Sequence, residues 1–225
     1  MKKLMFFFII SVLAFPAFSQ NYRSIDNNTG NWEDASTWIK SSTWLPDIPS
    51  TDGGSNSSAY IYGYVTRNGN LTVRNGSVLT IYDTLWVKGN LTVNQQVRVV
   101  SGGLLIVDGN LIIDNGGRFN NDGISIIQGA YSISGGGRLA NDENFYSFEG
   151  GTISNGGSNS AGSEPLKNSS DLESEFPALF DQLANGVLPI KLLSFAGMAF
   201  ENHVQLNWIT AWEENFDYFI VERAG

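Results

Sequence analysis

The sequence predicts an all-β chain whose middle is a single-stranded parallel β-solenoid. This is a β-helix of about twenty residues per rung, for which the right-handed form is expected. Three observations lead there. First, Gly-Asn recurs in step at 69-70, 89-90 and 109-110; Gly129-Ala130 continues the series and Gly150-Gly151 follows one residue late. Second, overlaid twenty-residue windows form apolar columns: Leu71, Leu91, Leu111, Tyr131, and then Val73, Val93, Ile113, Ile133, Ile153. Thr72, Thr92, Ile112, Ser132 and Thr152 lie between them, which is the alternation of a strand. Third, Gly, Asn and Asp separate the short runs, as tight corners require.

Further columns are Leu79, Val99, Phe119, Leu139, then Leu85, Leu105, Ser125, and then Val87, Val107, Ile127, Phe148 with one inserted residue in the last coil. Each rung is therefore expected to hold strands near 71–73, 79–81 and 85–87. Such strands stack about 4.8 Å apart, so every inward side chain rests on its counterpart one rung below. A lone rung would leave both backbone edges and most of its apolar contacts unmet, so stacking is obligatory.

Residues 1–19 read as a secretory signal peptide, with Lys2-Lys3 before an apolar run from Leu4 to Phe15 and the small-residue exit Ala17-Phe18-Ser19. The run is short for a membrane span and polar sequence follows it, so no membrane insertion is expected after cleavage. The chain has no cysteine, which excludes a lipoprotein anchor, a disulfide scaffold and thiolate metal sites. Without Lys2 and Lys3, eleven basic residues face twenty-two acidic ones, a net charge near −11 that argues against nucleic acid as a partner.

Residues 20–68 are expected to form an N-terminal cap and a first, atypical rung around Tyr60, Tyr62, Tyr64 and Val65. Trp32, Trp38 and Trp44 are bulky enough to cover an open solenoid end; sugar stacking is their alternative role. The segment Gly30-Asn31-Trp32 to Thr37-Trp38, with Pro46, Pro49 and Asp52, resembles the opening of secreted Bacteroidota-type surface proteins. In those, such a segment precedes a β-solenoid.

Regular rungs are expected over 69–157, a Gly/Ser linker over 158–169, and one helix over 170–186. Leu172, Phe176, Leu179, Phe180 and Leu183 share a helical face, Ser170 and Glu173 have capping-box spacing, and Pro177 marks a kink or a later start. Residues 187–225 return to strands, at Leu192 to Phe200, His203 to Thr210 and Tyr218 to Glu222. The runs Leu188-Pro189-Ile190-Lys191-Leu192-Leu193-Ser194-Phe195, Val204 to Trp208 and Asp217 to Arg223 resemble the fibronectin-III-like module that precedes the sorting domain of type IX-secreted proteins. Such a module needs some seven strands, so the match reads as truncated, with the sorting domain lacking.

Catalysis on a solenoid would need carboxylates converging on a sugar. Asp108, Asp114, Asp122 and Asp142 are available, but the Asn-Asp contexts of Asp122 and Asp142 are those of corners. No metal or other cofactor is assigned, and the sequence lacks the alternating Asp/Asn/Gly pattern of calcium loops. Arg98, Arg118 and Arg138 share a column, and stacked like charges repel, so this file is a candidate contact for an anion or an acidic glycan. The competing reading is that all three are splayed and solvated. Asp83-Thr84-Leu85 matches a short O-glycosylation motif reported for Bacteroidota-type secreted proteins, which makes Thr84 a candidate acceptor. Asn-x-Ser/Thr at 70, 75 and 90 reads as corner asparagines of the repeat, and His203 as a strand residue.

In the third strand of each rung both faces are apolar: Trp86, Leu104, Ile106, Ile124 and Ile126 point outward opposite an apolar interior. Such a stripe calls for a cover, and the helix is expected to supply it. The functional expectation is an exported, non-catalytic, adhesin-like solenoid whose partner is an extracellular glycan or another surface protein. The alternative is a carbohydrate-active β-helix that binds or cleaves polysaccharide.

Overall fold

The computed structural model describes residues 20–52, 57–140, 144–160, 166–184, 192–199 and 204–210. The leader stretch 1–19, Asp142, His203 and the strand expected at 218–222 lie outside them. The chain winds through three stacked sheets, making a parallel β-solenoid of about five turns with two short helices. The first sheet stacks Gln20–Ser24, Ser57–Ile61, Val78–Ile81, Gln96–Val99, Arg118–Asn121 and Arg138–Ala140 in parallel. The second stacks Thr29–Asn31, Tyr64–Arg67, Thr84–Val87, Leu104–Val107, Ile124–Ile127 and Phe145–Ser147. The third runs from Leu71–Val73 through Leu91–Val93, Leu111–Ile113 and Tyr131–Ile133 to Gly151–Ile153.

Two of the expected columns are files of paired residues in the third sheet, from Leu71 to Tyr131 and from Val73 to Ile153. In the first sheet one column is corrected. Val97, not Val99, lies between Leu79 and Phe119, while Val99 pairs with Ile81 and Asn121. The corner after Val93 is two residues shorter than the one after Val73, and the corner after Val99 is two residues longer than the one after Ile81. The other long corners turn through two successive left-handed residues, Asn75-Gly76, Asn115-Gly116, Gly135-Gly136 and Asn155-Gly156, each closed by an i to i+3 hydrogen bond. At the matching place this rung carries Gln95, which lacks the tolerance of Asn or Gly for that conformation, and the extra pair Ser101-Gly102 restores the register. Asn121 is inward, in line with Ile81, and its Oδ1 accepts a 2.7 Å hydrogen bond from Ser125 Oγ, which is also buried.

The Gly-Asn repeat has a specific cause. Asn70, Asn90 and Asn110 each accept, through Oδ1, the backbone N–H twenty residues on, at 2.8 to 2.9 Å. A Cβ on Gly109 would meet Asn90 Oδ1 at 2.3 Å, and one on Gly129 would meet Asn110 Oδ1 at 2.5 Å. The glycine of one rung is thus required both by the asparagine of the rung before and by the backbone of that rung's own glycine, which a Cβ would meet at 2.7 to 2.9 Å. Ala130 ends this ladder, and Glu149 takes the next glycine position, its N–H bonding Gly129 O. No residue is inserted in the last coil: Ile127 pairs with Ser147, so Phe148 lies beyond the column expected for it.

The N-terminal region is corrected in the same way. Residues 20–31 already belong to the stack, since Gln20–Ser24 and Thr29–Asn31 pair in parallel with the strands that follow them. The cap is inserted after them: Trp38–Lys40 pairs antiparallel with Gln20–Ser24 and covers the edge of the first sheet. Trp32 and Trp38 pack edge to face at 5.0 Å within the core, and their indole N–H groups bond Pro49 O and Trp32 O. Trp44 is 94% exposed and takes no part in the cap.

At the other end, Phe119, Tyr131 and Phe145 fill the interior with edge-to-face contacts. Ser158 and Lys167, expected in a linker, still bridge to Arg138 and Tyr146 of the last rung. Two helices replace the single one expected: α1, Ser169–Glu175, and α2, Pro177–Ala184, with the break at Phe176 before the proline. Asn168 and Asp171, rather than Ser170 and Glu173, form the capping box. Leu172 is buried with Ile126 and Tyr146 under this pair, and Phe176, Leu179, Phe180 and Leu183 pack against them with Leu104, Ile124 and Phe148. The helices therefore cover the apolar outer stripe at Leu104, Ile124 and Ile126, and the expected contact with the stripe is made through Ile126. Leu192–Ala199 and Val204–Thr210 form an antiparallel pair.

Candidate functional site

Among the described residues the outer face of the first sheet carries exposed arginines of the regular rungs. Alternation places Val97 and Phe119 inside and turns Arg98, Arg118 and Arg138 out, all three exposed. Register builds two outer files across the rungs. One runs Val78, Gln96, Arg118, Arg138, Ser158; the other runs Ile39, Arg23, Tyr60, Thr80, Arg98, Asn120, Ala140.

This corrects the three-membered arginine column. Arg118 and Arg138 are direct neighbours, but Arg98 lies between Thr80 and Asn120 in the adjoining file. The two-residue slip at Gln95 causes the displacement. It also relieves like-charge stacking, because Arg98 is set diagonally to Arg118. Among the described residues no carboxylate pairs with any of the three, whereas Arg23, Lys40, Arg67, Arg74 and Lys167 each have an acidic partner. The missing corner residues leave a recess beside Arg118, lined by Gln95, Gln96, Gly116 and Arg118.

Where the first sheet passes to the second, Tyr62 and Tyr82 stack with centroids 4.4 Å apart and planes 6° from parallel. Arg23 lies over the Tyr62 ring at 4.4 Å and is held by Asp26. Burial, then the hydrogen bond and charge of Tyr82, push the Tyr62 phenol above its ordinary value. Tyr82 is 41% exposed, so this stack presents an aromatic surface. It comes from corner residues that lie one twenty-residue period apart, and reading corners as columns in their own right would have revealed it.

Of the four candidate acids, the three among the described residues lie at separate corners. Asp108, Asp114 and Asp122 follow Val107, Ile113 and Asn121, and so occupy the three different corners of the solenoid. Asp108 accepts hydrogen bonds from Trp86 Nε1 and Gln128 Nε2. Asp114 Oδ1 accepts the Asn115 N–H at 2.7 Å, a corner role. Among the described residues no three His, Asp or Glu cluster as metal ligands do. Thr84 is half-buried in its strand, and its hydroxyl donates to Asp83 Oδ1 at 3.2 Å.

Comparison with family models, with curated proteins and with solved structures finds no match to the chain.

Proposed function

We propose that the chain is the solenoid region of an exported cell-surface protein and acts by adhesion, without catalysis. The observation that carries this reading is the outer face of the first sheet, where Arg98, Arg118 and Arg138 are exposed, pair with no carboxylate among the described residues and share a surface with amide side chains. Charges kept unpaired in an acidic chain favour a binding face. The separation of Asp108, Asp114 and Asp122 into three corners supports binding over cleavage, since glycoside hydrolysis needs two carboxyl groups within about 10 Å.

Export is supported by the sequence of residues 1–19 and by the resemblance of 30–52 and 188–223 to type IX-secreted surface proteins. On this reading the leader is removed and the fibronectin-III-like segment links the solenoid to the cell surface or its export route, while Thr84 is an acceptor for glycan. Expression with the native N-terminus in a host that has this secretion route, followed by mass spectrometry, tests the proposal. A surface or medium fraction beginning at Gln20 supports it. A chain retained in the cytosol with residues 1–19 intact contradicts it.

A further inference from the structure

We infer that the outer face of the first sheet binds an acidic polysaccharide lying along the solenoid axis, with Arg118 and Arg138 meeting its carboxylate or sulfate groups. This rests on the reading of the chain as a surface binding protein and names the ligand class.

Three features select the ligand. The positive groups repeat along the axis at the strand spacing of about 4.8 Å, so a linear chain carrying one anion per one or two sugars meets them in sequence. Guanidinium groups recognise carboxylate and sulfate through paired N–H donors, and among the described residues no carboxylate engages any of these three. Their neighbours are Gln95, Gln96, Asn120 and Ser158, which suit sugar hydroxyls. An acidic protein partner would instead be met by an apolar anchor amid the charges, and among the described residues the direct neighbours of Arg118 on this face are Gln96 and Arg138.

The recess beside Arg118 gives the site a defined centre. Two backbone residues are missing from the corner at Gln95, so a sugar ring can settle between the rungs of Asn75 and Asn115 while its anion reaches Arg118. Arg98 and Asn120 flank that position. Farther along the same face Tyr60 shares the file of Arg98, and the Tyr62 and Tyr82 rings offer a stacking surface at its corner.

Biolayer interferometry of the full chain against polygalacturonate, dextran sulfate, neutral dextran and polyglutamate tests the inference. Binding to one or both acidic glycans is expected, weakening as salt rises from about 50 to 500 mM. Arg118→Gln with Arg138→Gln should weaken it about tenfold or more, and Arg98→Gln by less, with unchanged melting. Preference between the first two probes assigns carboxylate or sulfate. Absence of binding to both acidic glycans, equal affinity for polyglutamate, or arginine variants as tight as wild type overturns the inference. Dextran binding that survives the arginine substitutions leaves the surface-binding reading standing while this site falls.

Discussion

The outer faces of the first and second sheets are built on the same rungs and meet opposite fates. On the second, Leu104, Ile124, Ile126, Tyr146 and Phe148 lie under α1 and α2. On the first, Arg98, Arg118 and Arg138 stand in solvent. The interior is apolar behind both, so the fold does not decide which side is covered. The outward positions do: apolar ones draw the chain back over themselves through the hydrophobic effect, and charged ones keep it away because desolvating them is costly. Polar contacts then fix the docked position. Tyr146 OH donates to Glu175 Oε2 at 2.7 Å, and Lys167 Nζ reaches the same oxygen at 2.7 Å.

The largest effect is expected where the two faces share a core. Ile113 is fully buried in the file from Val73 to Ile153, and Ile113→Asp places an unpaired carboxylate there at a cost of several kcal/mol. Circular dichroism should show loss of the central rungs; wild-type melting would refute the register. Next comes the cover itself. Phe180→Asp should lower stability by about 1 to 3 kcal/mol, whereas Arg118→Gln on the other face should stay within about 0.5 kcal/mol. Equal effects in chemical denaturation would erase the contrast between the faces.

A smaller effect tests the corner both faces depend on. Gly129→Ala should destabilise by about 1 to 3 kcal/mol, and by somewhat less in a chain that already carries Asn110→Ala, which removes the contact with Asn110 Oδ1 and leaves the one with Gly109 O. Additive losses in that double-mutant cycle would reject the ladder as the reason for the glycine. The smallest effect is acid loosening of the helices. The hydrogen bond from Lys167, and then that from Tyr146, hold the Glu175 carboxyl below its ordinary value. A depressed carboxyl contributes stability above the ordinary carboxylate range and loses it as pH falls through the folded value. The protection of α1 amides, corrected for the intrinsic exchange rate at each pH, should therefore fall as pH drops below the ordinary carboxylate range in wild type and show less pH dependence in Glu175→Gln.

The rung period, the inward columns of the third sheet and the covered stripe were legible because parallel stacking imposes the same residue type at one position in every rung. The face arginines were legible as a set, but their arrangement was not. A fixed twenty-residue window cannot register a two-residue deletion at Gln95 that an insertion at Ser101-Gly102 repairs within the same rung. The signal was present all the same: Asn75-Gly76 and Asn115-Gly116 can turn through left-handed backbone, and Gln95-Gln96 does so poorly. The early rung was hidden for another reason. Residues 20–31 join the stack before the cap of 32–52 interrupts it, so their period to the next strands is not twenty.

The contrast between the faces can be measured directly because the chain has no native cysteine. Arg118→Cys and Ile126→Cys place single thiols on the outer faces of the first and second sheets, and their labelling rates by a maleimide reagent report access. The account predicts rapid labelling at 118 under native conditions and protection at 126 until the helices are released by denaturant. Equal rates at the two positions, or slower labelling at 118, would contradict it.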